Sequence, residues 1–236
     1  MTATTTRVSR AWLARLTAGL FGLLLLAAPT SARAQLPWES PQLLRPGAPA
    51  GWSVMFIDYG LDPNSGLGGA LAYRTEPAPR GLGWRASVAQ GLGDKLNFAG
   101  GVDISAPLLR AANGFPLDLI WTGGAGGSYG EYIQIALPVG VAGGRSLSAE
   151  HVWFNPYTSA RAVLEGRLGD AAPEGDVVSF GLAIDVGADL ALGRSRSFLM
   201  RFAVSLGDRN AAAVGFHLGS GSGLSPTRVS PIRRVP

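Results

Sequence analysis

Val178–Leu192 reads VSFGLAIDVGADLAL. Val178, Phe180, Leu182, Ile184, Val186, Ala188, Leu190 and Leu192 are all apolar, and between them fall Ser179, Gly181, Ala183, Asp185, Gly187 and Asp189. In an extended chain successive side chains point to opposite faces, so the two sets separate completely. One wholly apolar face against one small or polar face predicts a long β-strand.

The same split recurs outward from this segment. In KLNFAGGVDI, Leu96, Phe98, Val102 and Ile104 oppose Asn97, Ala99, Gly101 and Asp103. EYIQIALPVGV sets Ile133, Ile135, Leu137, Val139 and Val141 against Tyr132, Gln134, Ala136 and Gly140. FLMRFAVSL and AAAVGFHLG repeat the pattern near the end of the chain, and no segment after Gly51 has a comparable helical period. Strands are expected over 52–60, 67–75, 83–90, 95–104, 117–128, 131–141, 149–167, 177–191, 197–206 and 210–218. Asn155-Pro156 leaves open a division of the seventh into two, and Pro138 removes a ladder donor from the sixth.

The N-terminus carries a different signal. Arg7, Arg10 and Arg15 form a basic start, Leu16–Ala28 is apolar, and Ala32-Arg33-Ala34 offers a small-residue cleavage site. That order predicts a cleaved signal peptide over 1–34. The apolar run falls short of the roughly 20 residues a spanning helix needs. The expected organisation continues with a lead-in over 35–50, a barrel over 51–219 and a disordered periplasmic tail over 220–236.

Export changes how the composition reads. The full chain has 20 Lys and Arg against 16 Asp and Glu, but four of the arginines lie in the signal segment. The remainder balances, so the basic character belongs to targeting and does not predict nucleic-acid binding. The absence of cysteine excludes disulfides and thiolate chemistry, and two histidines, His151 and His217, make a histidine metal site unexpected. No cofactor is expected.

The facing of the strands decides the class. A soluble barrel points its apolar face inward and covers the other with Lys, Glu and Thr. Here the second face is mostly Gly, Ala and Ser with an occasional Asp or Arg, a poor surface for water but a good filling for a narrow lumen. Apolar-out alternation over about 10 residues is the pattern of a transmembrane barrel strand. The expectation is an all-β, up-and-down antiparallel transmembrane β-barrel of about ten strands, with eight or twelve as the alternatives. A soluble periplasmic barrel holding a lipophilic ligand is the competing reading.

With its signal peptide, alternating strands and aromatic-containing last strand (Ala211–Leu218), the chain resembles small bacterial outer-membrane β-barrels over roughly Trp52 to Leu218. The resemblance implies insertion by the barrel-assembly machinery, contact with outer-membrane lipids and lipopolysaccharide, and termini in the periplasm. A monomer is the expected state. Odd strands then rise outward, and three of them share a phrase: Arg85–Asp94 (RASVAQGLGD), Arg161–Asp170 (RAVLEGRLGD) and Arg201–Asp208 (RFAVSLGD). Parity puts Arg85, Arg161 and Arg201 in the lumen, with Asp103, Asp118, Asp185 and Asp189 at a similar level on neighbouring strands. Pairs Arg85–Asp103, Arg161 with Asp185 or Asp189, and Arg201–Asp189 are expected. They read either as a packed ion-pair network or as a charged constriction in a narrow small-solute pore.

Asp94, Asp170, Asp176 and Asp208 fall in expected outer turns, where they either bridge to lipopolysaccharide through divalent cations or serve as ordinary turn residues. Enzymes of this class hold their histidines at the outer rim, whereas His151 and His217 are expected toward the periplasm. No HExxH motif occurs, and GGAGG (Gly123–Gly127) lies inside a strand. A non-enzymatic barrel, structural or weakly permeable, is expected.

Overall fold

The computed structural model describes residues 46–59, 66–75, 80–90, 96–111, 115–130, 132–148, 151–169, 177–193, 198–208 and 210–218. The expected signal peptide, the first part of the lead-in, the C-terminal tail and the turn residues Asp94, Asp170 and Asp176 lie outside them.

Ten strands form the fold, and all ten were legible as alternating segments: β1 (Gly51–Tyr59), β2 (Gly66–Arg74), β3 (Gly81–Gln90), β4 (Leu96–Leu109), β5 (Asp118–Tyr129), β6 (Ile133–Gly144), β7 (Val152–Leu168), β8 (Val178–Leu192), β9 (Phe198–Gly207) and β10 (Ala211–Leu218). A two-residue stretch, Leu147–Ser148, pairs briefly with the start of β7. Each strand is antiparallel to the next, and β10 pairs with β1 from Trp52↔Leu218 to Tyr59↔Ala211, which closes the sheet. Closure removes both sheet edges, so every strand's backbone has a neighbour on each side.

The prolines fall where the ladder tolerates them. The β5–β6 register contains Gly123↔Val139 and Gly126↔Ala136 but no pairs for Pro138 or Leu137, the interruption that a missing N–H produces. β7 is a single strand through Asn155-Pro156. The Pro156 carbonyl accepts a bond from the Arg145 N–H, so the ring nitrogen faces the side where β6 has already ended. β4 runs to Leu109, further than its alternation suggested, with a register shift between Pro107 and Leu109.

Register sets the width. Carrying a β1 position through all ten pairings returns it to β1 displaced by about 12 residues, the shear of the barrel. With strands about 4.8 Å apart and a rise of about 3.3 Å per residue, that shear tilts ten strands by roughly 40° and gives a backbone radius of roughly 10 Å. At this tilt a strand of nine residues, such as β1, climbs roughly 23 Å, close to the height of a lipid-facing apolar band. Gly51 and Leu218 lie side by side at one rim, here the terminal rim; the other is the distal rim.

Burial alternates as the residues do. The β3 pattern switches between buried and exposed at every position, and Phe180, Val139 and Phe56 on outward faces are 62%, 59% and 57% exposed. Toward the terminal rim two groups of outward aromatic rings pack together: Trp52, Tyr73 and Trp84 on β1–β3 stack with centroids 4.7–6.1 Å apart, and Phe198 packs on Phe216 at 5.5 Å. Inside, the apolar clusters are small, Met55 with Ile57, Ala70, Ala72 and Ala211, and Trp153 with Ala191 and Leu199.

Candidate functional site

The arginines and aspartates of the inner face meet across adjacent strands. Arg85 on β3 lies 3.5 Å from Asp103 on β4. Arg161 on β7 grips Asp185 on β8 with two bonds, Nε to Oδ2 at 3.0 Å and Nη2 to Oδ1 at 3.2 Å. Arg201 on β9 sits 3.3 Å from Asp189 on β8. All six are at most 4% exposed. A buried charge without a partner costs several kcal/mol, so such enclosure is tolerable only when opposite charge and hydrogen bonds compensate.

Hydroxyl groups complete the set. Ser159 donates to Asp185 Oδ2 at 2.8 Å, and Arg161 donates onward to Ser205 Oγ at 3.2 Å, so one pair ties β7, β8 and β9 together. Arg201 also donates to Ser53 on β1. It reaches past β10 because its registered neighbour there is Gly215, which has no side chain to stand between them.

The pairs occupy two levels. Arg201, Asp189 and Ser53 lie toward the terminal rim. Arg85–Asp103 and Arg161–Asp185 lie near mid-height on walls that face each other, since β3 and β8 are five strands apart in a ring of ten. Arg85 is within electrostatic reach of both Arg161 and Asp185. A guanidinium arm from each side spans most of a roughly 10 Å radius. The wall beside Asp103 is kept clear by Gly124, where a Cβ would stand 2.8 Å from both Asp103 Oδ1 and the Val102 carbonyl. Gly124→Ala is therefore expected to cost about 1–3 kcal/mol through overpacking, read as a lowered urea midpoint of the refolded barrel.

A third polar group, nearer the distal rim, escaped the reading of the sequence. Glu165 on β7 accepts from Gln134 Nε2 at 3.0 Å and from Ser179 Oγ at 3.1 Å, with Arg167 3.6 Å away. Glu165 shares the parity of Arg161 in RAVLEGRLGD, and that parity was the available signal.

Asp118 joins none of the three pairs. It starts β5 at the terminal rim, and its Oδ1 accepts the Ala111 N–H at 2.9 Å, holding the β4–β5 turn. Asp208 is exposed at the distal rim, where its N–H and its carboxylate both bond to the backbone of Leu182, at 2.9 and 2.8 Å. His151 precedes β7 and is exposed, with its carbonyl accepting from the Gly193 N–H; His217 lies on β10 beside Gly51. Both histidines are thus at the terminal rim.

Closed, up-and-down, apolar outside and polar within, the barrel has the architecture of small outer-membrane β-barrels. No protein-family model matches the chain, and no curated relative matches it in sequence. Among solved structures, the β domain of the Bordetella autotransporter BrkA is similar over 73% of this chain and 100% of that one, at 13% identity and a TM-score of 0.35.

Proposed function

We propose that the protein is an integral outer-membrane β-barrel, non-enzymatic and structural in role, whose charged lumen is packed shut at rest. The inversion of polarity carries this reading. Large aliphatic and aromatic side chains cover the outer wall, while arginine and aspartate are enclosed inside. A soluble barrel with a lipophilic ligand needs the opposite arrangement, since an apolar ligand would have to displace ion pairs from an enclosed interior. The aromatic rings near the terminal rim suit an interfacial girdle, and the barrel height suits the hydrocarbon layer. Export by the N-terminal signal, insertion by the barrel-assembly machinery and contact with lipopolysaccharide at the distal rim belong to the same proposal.

Fractionation tests the location. The protein is expected in the outer-membrane fraction, released only by detergent, with a folded band that shifts on heating in a gel. Recovery in the soluble periplasm without detergent would sink the proposal. The alternative of a narrow pore for small solutes is separated by planar-bilayer recording: the refolded wild-type barrel is expected to give no steady unitary current, and a steady current would establish the pore.

A further inference from the structure

A short segment before the barrel is held where no strand pairing would put it. Pro46–Ala50 leads into β1, yet Pro46 is bound on the far side of the ring: Asn155 Nδ2, on the inner face of β7, donates to the Pro46 carbonyl at 2.9 Å. β1 and β7 are separated by β8, β9 and β10 one way and by β2–β6 the other. On a radius of roughly 10 Å their chord is roughly 19 Å, within the upper limit of what five residues and one side chain can span. The segment therefore crosses the terminal mouth.

It is built to sit there. Asn155 is fully buried, and its Oδ1 accepts from Ser146 Oγ at 3.1 Å, so the amide is fixed in the orientation that presents Nδ2 to the strap. Ala48 is 4% exposed, and Pro46 and Pro49 are buried with it. Two prolines among five residues leave fewer N–H groups to satisfy and little backbone freedom to lose on docking. Gly47 adopts φ +70°, and a Cβ there would stand 2.4 Å from Ser146 Oγ and 2.7 Å from Asn155 Oδ1. Only glycine lets the chain lie so close to that anchor.

We infer that Pro46–Ala50 is a strap that shuts the terminal mouth of the barrel, latched by Asn155 and Ser146 and released when that latch opens. The inference goes beyond the membrane reading and does not rest on it, since the strap docks inside the mouth whatever surrounds the outer wall.

The chain has no cysteine, so single reporters can be placed cleanly. Ala48→Cys reports docking of the strap itself. Thr122→Cys, on the inner wall of β5 and 4% exposed, reports access through the mouth. Each is made in the full-length refolded barrel and treated with a water-soluble maleimide, with heat-modifiable gel migration confirming the fold. Both thiols are expected to react slowly. Adding Asn155→Leu, which removes the latch, should speed both by roughly tenfold or more. Gly47→Val, which excludes the docked conformation while leaving every residue of the barrel wall unchanged, should do the same. If Ala48→Cys stays protected in both variants, the segment is not a latched strap. If it becomes reactive while Thr122→Cys does not, the segment docks but does not close the mouth. Either result overturns the inference.

Discussion

Arg161→Ala is expected to destabilise the folded barrel by about 3–5 kcal/mol, because it leaves the Asp185 carboxylate enclosed without its cation. Asp185 is 0% exposed, and after the substitution only Ser159 would remain of its described side-chain donors. The loss should therefore reflect a stranded charge more than a missing contact. Arg161→Met combined with Asp185→Leu removes both charges and fills the space, and should recover most of the stability. The measurement is urea unfolding of the refolded barrel in lipid vesicles, taken as a double-mutant cycle. A loss below about 1 kcal/mol for the single variant would mean that water reaches Asp185 at mid-height. The closed-lumen reading would then fall.

Val139→Arg should cost about 2–4 kcal/mol in a bilayer, although the position is 59% exposed. Val139 lies near the middle of β6, and its registered neighbours are Gly123 on β5 and Ala162 on β7. A longer side chain meets no steric obstacle there, so the cost isolates the solvent. At an equally open site in water, substitutions usually stay within about 0.5 kcal/mol either way. The two environments predict different results for one variant. An effect of that smaller size in vesicles would mean that lipid does not surround β6.

Much of the site could be read before the fold was known. Alternation is a local property: each residue's face follows from its neighbours' positions along the chain. Val178–Leu192 therefore declared its own two faces, and strand parity brought Arg85, Arg161 and Arg201 to the same side as Asp103, Asp185 and Asp189. Parity could not separate a lumen charge from a turn-holding one. Asp118 has the right type at the right level, yet its carboxylate is engaged by the Ala111 backbone. Nor did it single out Glu165, whose partners Gln134 and Ser179 are ordinary polar residues until three strands stand side by side. The Asn155–Pro46 bond joins residues 109 apart, one of them outside any strand, and no periodicity marks it.

By itself, then, the sequence determined that the chain is built of strands and which face of each is apolar, while the strand count stayed open between eight, ten and twelve. The strands and their faces follow from chemistry repeated every second residue. What only the tertiary structure decided is the distance across the barrel. The shear belongs to ten registers jointly, and it sets the radius at which arginines from opposite walls approach each other and a five-residue strap can reach the far side.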